Sequence, residues 1–281
     1  MHTFTNIGHY FRLCRPVNVL IGMISIFIGA FITGTIQPIR AVLFASISGG
    51  LIAAAANSIN DYFDIAIDKI NKPHRPIAAG HISPTNGFIF SIALFIAGMT
   101  FGYFINWKAF VVSVSSAIIL FLYSARLKGT VLWGNLCVSL VTSLSFIYGG
   151  IAVNRLNLAL IPAVFSFFYH LGREIIKDVE DVKGDRADHI KTLPIQYGSK
   201  LALEIATWVY VLLIFLTIAP YVFNIFGIYY LAIVVGVVDV VIVVALVSIW
   251  KNQEIGNLSR MSFLLKLNMF AGLIAIYCGK F

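Results

Sequence analysis

The chain has 281 residues, of which 59% are hydrophobic and only 11% are charged, and its net charge is +8. Soluble domains carry about 25% charged residues, so this composition excludes a soluble protein and predicts one that folds in a lipid bilayer. The positive charge would suggest nucleic-acid binding only in a soluble protein. The three cysteines have no metal-ligand spacing, and they predict neither a disulfide framework nor a zinc site.

Apolar stretches follow one another along nearly the whole chain. A transmembrane helix needs roughly 20 mainly apolar residues. Nine stretches of this kind are present, at about 17–34, 41–60, 85–105, 109–125, 130–152, 157–177, 201–221, 226–250 and 261–279. We therefore predict an all-α polytopic membrane protein with nine transmembrane helices in one bundle, and a single domain that covers residues 1–281.

Lysine and arginine are distributed unequally between the two sets of loops that nine helices would create. One set receives most of them, whereas the other receives only Arg40, Lys108, Arg155 and Lys280. Cytoplasmic loops carry the excess of Lys and Arg. The distribution predicts a multi-pass protein of the cell membrane with its N-terminus in the cytoplasm and its C-terminus outside.

Two Asp-rich segments share one spacing. Asp61, Asp64 and Asp68 recur as Asp178, Asp181 and Asp185 at a constant offset of 117 residues. Each cluster follows the second helix of its half, so we predict two pseudo-repeats of four helices plus one, in parallel topology, as in other membrane repeats. The Asp-rich segments 57–84 and 174–200 are predicted to be cytoplasmic, and connections of such length are usually functional.

The three aspartates of a cluster, at positions i, i+3 and i+7, lie on one helical face if the helix continues through them. Six carboxylates would then converge on one pocket. Carboxylates without His or Cys partners favour hard cations, and magnesium typically binds one or two carboxylates together with substrate phosphates. The predicted occupant is a diphosphate bridged by Mg²⁺. Ordinary solvated acidic loops are the alternative, but they leave the duplicated spacing unexplained.

Basic and amide side chains beside the clusters are candidate phosphate ligands. Guanidinium groups bind phosphate through two parallel hydrogen bonds, and ammonium groups act as point charges. The basic candidates include Arg75, Arg126, Lys128, Lys177 and Lys191, with Arg75 the most favoured. The positive-inside distribution explains any single one of them equally well. Asn57 and Asn60, on the last turn of the second helix, are placed to fix an aspartate or a phosphate oxygen.

The sequence also resembles a known family. Residues 60–68 read NDxxDxxxD, and residues 178–185 read DxxDxxxD. With an Arg-Pro-x-Asn start at Arg15 to Asn18 and a segment from Tyr123 to Lys128, the chain resembles the UbiA superfamily of intramembrane prenyltransferases over essentially its whole length. The resemblance implies that the six aspartates form the catalytic centre and bind Mg²⁺ and the diphosphate of a prenyl donor. It implies substrate contacts by Asn18, Asn57, Arg75, Tyr123, Lys128 and Lys191.

Residues 60–83, 172–185 and 191–198 look most like the archaeal branch of that superfamily that makes membrane ether lipids. This branch transfers a geranylgeranyl group from its diphosphate to the hydroxyl of geranylgeranylglyceryl phosphate. Such a phosphorylated lipid acceptor requires a second anion site, for which we consider Arg15, Arg126 and Lys128. An aromatic acceptor such as 4-hydroxybenzoate or a naphthoate remains an alternative.

A cation transporter is a candidate of a different class. It would be expected to place carboxylates near the bilayer midplane on broken helices. Here the clusters are predicted at helix ends, which disfavours transport.

Overall fold

The structure is a computed structural model that describes residues 2–187 and 190–281, so Asp188, one of the acidic residues of the second Asp-rich segment, lies outside it. Helices dominate the described residues, and no strand occurs among them. In chain order they are α1 (His2–Leu13), α2 (Pro16–Ile32), α3 (Ile39–Phe63), α4 (Ile65–Asn71), α5 (Pro84–Tyr103), α6 (Trp107–Ala125), α7 (Trp133–Ala152), α8 (Leu160–Ala187), α9 (Leu193–Tyr197), α10 (Ser199–Val222), α11 (Ile228–Ile233), α12 (Val240–Lys251) and α13 (Ile255–Cys278). A π-helical segment, Val234–Asp239, joins α11 and α12 into one continuous span.

The predicted all-α membrane bundle is confirmed, but the count of nine spans is not. Over residues 2–187 and 190–281, eight helical spans are long and apolar enough to cross a bilayer. A ninth results only if Ile7–Leu13 and Pro16–Ile32, which meet at 55°, are taken as one bent span. With 17 residues, α2 alone is about 26 Å long, shorter than the roughly 30 Å of the hydrocarbon core.

The two halves of the bundle meet where α2 crosses α7. A Cβ atom added to Gly149 would lie 1.9 Å from the carbonyl oxygen of Ile26, and one added to Gly29 would lie 2.2 Å from that of Phe146. The two backbones are therefore in direct contact at this crossing. Small residues at helix crossings let membrane helices approach this closely. This contact fixes the position of one half of the molecule relative to the other.

The two Asp clusters differ in backbone. In the second half, α8 runs without interruption from Leu160 to Ala187 and carries all three aspartates. In the first half, α3 ends at Phe63, Asp64 has φ −90° and ψ 11°, and the chain resumes as α4. The prediction of one continuing helix is right for the second cluster and wrong for the first. The Asp64 side chain makes no capping hydrogen bond to the backbone of α4 and is held instead by the side chains of Asn60 and Lys128.

Candidate active site

A cavity of about 280 Å³ opens between the ends of the helices that carry the aspartates. Residues from α2, α3, α4, α6, α7, α8 and α13 line it. Its Asp-rich end is polar and charged, whereas its deeper part is lined by apolar and hydroxyl side chains that include Ile26, Ile52, Val141 and Leu144. The cavity therefore combines a charged mouth with an apolar interior, as an amphiphilic substrate requires.

Most of the residues predicted from the sequence meet at this cavity. Those that line it are Arg15, Asn18, Asn57, Asn60, Asp68, Arg75, Tyr123, Lys128, Lys177, Asp178, Asp181 and Asp185. Asp61 and Asp64 are buried behind the basic side chains at the mouth. Arg126 and Lys191 are exposed and do not line the cavity, so the structure does not place these two predicted ligands with the others.

Arginine side chains neutralise two aspartates of the first cluster. Asp61, which is 2% exposed, forms ion pairs with Arg15 and with Arg75, the latter at 3.2 Å. The same Arg75 Nη1 donates to both carboxylate oxygens of Asp68, at 2.6 and 2.8 Å. Burial raises the pKa of Asp68 above its usual value, even though the Arg75 charge acts in the opposite direction. Burial alone would lower the pKa of Arg75, but Asp61 and Asp68 outweigh it and the pKa is raised.

Asp64 occupies the break between α3 and α4. Its carboxylate forms an ion pair with Lys128 and accepts a hydrogen bond of 2.6 Å from Asn60 Nδ2. Lys128 follows α6 in a single 3₁₀ turn, Leu127–Gly129. This turn brings the lysine side chain over the first cluster.

The second cluster is held by different groups. Asn135 Nδ2 on α7 donates to Asp178 at 2.8 Å. Lys72, which directly follows α4, donates to both carboxylate oxygens of Asp181 at 2.7 and 2.8 Å. Asp185 is buried. A basic residue of the first half thus neutralises an aspartate of the second half.

Asn71 joins the two Asp-rich segments directly. Its Nδ2 donates to the carbonyl oxygen of Asp181 at 3.0 Å, and its Oδ1 accepts from the backbone N–H of Gly184 at 3.1 Å. A Cβ atom on Gly184 would lie 2.4 Å from Asn71 Nδ2, so this contact requires glycine. The sequence reasoning missed Asn71, although its position three residues after Asp68 places it on the same helical face.

Arg173 and Lys266 also line the cavity and were not predicted. The sequence could have indicated both residues, because each is an ionisable residue within an apolar stretch. Such residues usually face the interior of a bundle and mark functional sites. Glu174, which accepts hydrogen bonds from Lys177 Nζ at 2.7 and 2.9 Å, is another ionisable residue that lines the cavity.

The residues at the mouth fit a magnesium ion that is bound together with phosphates. Among residues 2–187 and 190–281, no three or more His, Cys, Asp or Glu side chains form a ready-made metal cage. The oxygen donors are carboxylates and amides, which suit Mg²⁺. Magnesium usually relies on one or two carboxylates plus substrate phosphates rather than on an all-protein site, so a complete cage is not required.

A membrane-spanning helical bundle whose apolar cavity ends in aspartates, lysines and arginines has the architecture of an intramembrane transferase for phosphorylated lipids. The match to known families makes this specific. The model of the UbiA prenyltransferase family matches residues 22–270. The chain therefore belongs to the UbiA prenyltransferase family.

Similar proteins share almost the full length of the chain. The digeranylgeranylglyceryl phosphate synthase of Methanosphaera stadtmanae is 33% identical over 270 residues, 96% of this chain and 98% of the relative. The synthase of the same name from Methanopyrus kandleri is 35% identical over 266 residues, 95% of this chain and 97% of the relative. Two relatives that match nearly the whole chain thus share the name digeranylgeranylglyceryl phosphate synthase.

Solved structures have the same fold. A structure described as concerning digeranylgeranylglyceryl phosphate synthase in membranes has a TM-score of 0.75 and 34% identity, and the match covers 98% of each chain. A UbiA homolog from Archaeoglobus fulgidus, bound to GPP and Mg²⁺, has a TM-score of 0.69 and 20% identity, and covers 95% of this chain and 99% of that one. At this lower identity the second comparison establishes the fold.

Proposed function

We propose that this protein is a magnesium-dependent prenyltransferase that moves a geranylgeranyl group from geranylgeranyl diphosphate to the hydroxyl of geranylgeranylglyceryl phosphate. The product is digeranylgeranylglyceryl phosphate, an archaeal ether-lipid intermediate. The observation that carries the proposal is the full-length match to synthases of this name. Those relatives favour the lipid acceptor over an aromatic one.

The charged mouth of the cavity supports the assignment of the diphosphate site. Asp68, Asp178, Asp181 and Asp185 line the cavity and would hold Mg²⁺ together with the donor diphosphate, whereas Asp61 and Asp64 are buried and do not line it. Magnesium would neutralise the charge that develops on the departing diphosphate. The catalytic role of all six aspartates and the identity of the metal are part of this proposal.

Basic residues are placed to change partners when the donor binds. Arg15, Lys72, Arg75 and Lys128 are each paired with an aspartate of the clusters. A diphosphate at the mouth would accept hydrogen bonds from these cations, because phosphate oxygens are strong acceptors for Lys and Arg. The aspartates released in this way would become available to metal ions.

The amides and Tyr123 complete the proposed site. Asn57 Nδ2 donates to the carbonyl oxygen of Cys14 at 2.9 Å, which positions the start of α2 beside Asp61. Asn18 and Tyr123 line the same cavity. Lys177 is bound to Glu174 and directly precedes Asp178 on α8. We assign Arg126 and Lys191 no direct contact with the substrate.

The transfer breaks the bond between the first prenyl carbon and a diphosphate oxygen and forms a bond from that carbon to the acceptor hydroxyl oxygen. The hydroxyl proton becomes acidic as the new bond forms. A cluster carboxylate or an oxygen of the departing diphosphate can accept it, so a dedicated base is not required. The apolar part of the cavity, between α2, α3, α6 and α7, would hold the prenyl chain of the donor and exclude water from the reacting carbon.

The protein spans the membrane many times, and we propose that the cavity mouth faces the cytoplasm. Lysine and arginine are concentrated in the segments on the side of the Asp clusters. This orientation gives a water-soluble metal ion access to the mouth. With the bent pair Ile7–Leu13 and Pro16–Ile32 taken as a ninth span, this orientation puts the N-terminus inside and the C-terminus outside.

The proposed function is tested by offering the purified protein labelled geranylgeranyl diphosphate with either geranylgeranylglyceryl phosphate or 4-hydroxybenzoate, with and without Mg²⁺. We expect product only with the lipid acceptor and only with the metal. Transfer to 4-hydroxybenzoate alone would refute the lipid assignment but leave the family unchanged. Metal-independent transfer would refute the magnesium site.

A further inference from the structure

A group of cations lies deeper in the cavity than the Asp clusters and contacts two different helices. Arg173 on α8 has a side chain that is 15% exposed, and its Nε donates to the carbonyl oxygen of Ser262 on α13 at 3.2 Å. One turn away, the hydroxyl of Tyr169 donates to the carbonyl oxygen of Leu265 at 2.7 Å. Residues 262–266 of α13 therefore run antiparallel along residues 169–173 of α8, which places Lys266 level with Tyr169, one turn from Arg173.

Lys177 belongs to the same group. All three cations, Arg173, Lys177 and Lys266, line the main cavity. The positive charges that act on the Lys266 ammonium group are those of Arg173, Arg15 and Lys177, in this order. Three positive side chains from two helices thus share one partly buried space.

The carboxylates nearby do not balance these charges. Glu174 binds Lys177 at 2.7 Å and lies 3.4 Å from Arg173 Nη1. Asp178, one turn further along α8, accepts its hydrogen bond from Asn135. Within residues 2–187 and 190–281, Lys266 forms no ion pair with a carboxylate. Asn135 is a neutral donor and leaves Asp178 charged, so three cations and two carboxylates give an excess of one positive charge, which becomes two when Asp178 binds the metal ion proposed above. Such an excess is costly inside a membrane unless an anion binds.

We propose that Arg173, Lys177 and Lys266 form the binding site for the phosphate group of the acceptor, separate from the diphosphate site at the Asp clusters. This inference rests on the proposed function. A phosphate monoester carries about −1.5 to −2 charges near neutral pH, which matches the excess at this site. A guanidinium group flanked by two ammonium groups also supplies the donors that phosphate oxygens accept.

The position of the cations relative to the Asp clusters fits two anions bound side by side. Arg173 precedes Asp178 by five residues on the continuous helix α8, which is about 8 Å along the axis. The acceptor phosphate and the donor diphosphate would therefore be neighbours without competing for the same ligands. The sequence suggested Arg15, Arg126 and Lys128 for this role. Arg15 and Lys128 instead pair with Asp61 and Asp64, and Arg126 lies outside the cavity.

An apolar chamber continues from this site towards the opposite end of the bundle. It has a volume of about 80 Å³, and Ser166, His170 and Met269 line both this chamber and the main cavity. Its other walls are mostly apolar and come from α2, α7, α8, α10, α13 and the α11–α12 span. A ligand whose phosphate is held by the three cations can direct the first few carbons of its apolar chain into this chamber, which is too small for a whole 20-carbon isoprenoid.

The test compares Lys266→Met and Lys266→Gln with Arg260→Met, an exposed position on the same helix. We expect KM for geranylgeranylglyceryl phosphate to rise roughly 10- to 100-fold in both Lys266 variants, the effect of losing a charge-assisted hydrogen bond. KM for geranylgeranyl diphosphate, measured at saturating acceptor, should stay within twofold of wild type, which also shows that the variants are folded. Arg260→Met should leave both constants unchanged, and Lys266→Arg should restore most of the acceptor affinity.

A second comparison uses geranylgeranylglycerol, which lacks the phosphate. If the cations bind that group, wild type and Lys266→Met should use this alcohol equally poorly. An unchanged KM for the phosphorylated acceptor, or a rise in KM for the donor instead, would overturn the inference.

Failure of the proposed function can be distinguished from failure of this site. If the wild-type protein transfers nothing to geranylgeranylglyceryl phosphate, the proposed function is wrong. Thermal stabilisation of the protein by the same compound then decides the anion site. Stabilisation that Lys266→Met abolishes would support the site, and absence of stabilisation in the wild type would refute it.

Discussion

The contact between Asn71 and α8 gives the sharpest prediction about how the two halves of the active site are held together. Replacing Asn71 with Ala removes the hydrogen bonds to the Asp181 carbonyl and from the Gly184 amide. A neutral hydrogen bond contributes about 0.5–1.5 kcal/mol net. Asn71 is half-buried, so water replaces part of each contact, and we take the combined loss as about 1–2 kcal/mol.

These hydrogen bonds stabilise the arrangement in which the two Asp clusters face the same substrate. Losing about 1–2 kcal/mol of that stabilisation should lower kcat/KM by roughly 5- to 30-fold, because 1.36 kcal/mol corresponds to a factor of ten. The assay is steady-state transfer of labelled geranylgeranyl to the lipid acceptor at saturating Mg²⁺. Gly184→Ala should reproduce the defect, since its Cβ would displace the Asn71 side chain. Gly184 does not line the cavity, so this variant separates alignment from direct substrate contact.

The double variant completes the cycle. Once Asn71 has been replaced with Ala, the methyl group of Ala at position 184 has no side chain to displace, and the second substitution should cost little. Residues that act through one contact give non-additive effects of this kind. Additive losses, or a Gly184→Ala enzyme with full activity, would refute the reasoning.

Three further predictions concern packing, the donor site and the metal. Gly149→Ala should lower the midpoint of thermal inactivation, because overpacking costs about 1–3 kcal/mol. The control Gly236→Ala places its Cβ where no atom lies within 4 Å and should leave the midpoint unchanged. Equal midpoints in the two variants would contradict the close α2–α7 crossing. Lys128→Met should raise KM for the prenyl diphosphate by about 10-fold, while the exposed Arg126→Met should change it less than twofold. The reverse order would contradict the position of Lys128 beside Asp64. Chelation with EDTA should abolish transfer and added Mg²⁺ should restore it, whereas activity that persists in EDTA would contradict a metal-bound diphosphate.

The spacing of the aspartates predicted much of the site, and the reasons are specific. An i, i+3, i+7 pattern places carboxylates on one face of any continuous helix, and α8 is continuous. The break at Asp64 was not predictable in the same way, because no Gly or Pro lies between Ser58 and Asp68 to mark it. Its partners, Asn60 and Lys128, are known only from the fold.

The sequence did not distinguish the basic residues that reach the cavity from those that do not. Arg126 and Lys128 are two positions apart and equally plausible as phosphate ligands, yet only Lys128 reaches the cavity. The choice depends on a single 3₁₀ turn, which the residue types do not specify. The pairing of Lys72 with Asp181 depends on how the two halves pack, and no local pattern in the chain encodes it.

The central claim is that the two Asp clusters form one magnesium-dependent site for one diphosphate. Binding of labelled geranylgeranyl diphosphate to Asp68→Asn and Asp185→Asn, titrated with Mg²⁺, tests it most directly, with the exposed Glu254→Gln as the matched control. We predict that each aspartate variant loses the magnesium-dependent gain in affinity and that the control retains it. Wild-type magnesium dependence in either aspartate variant would contradict the claim.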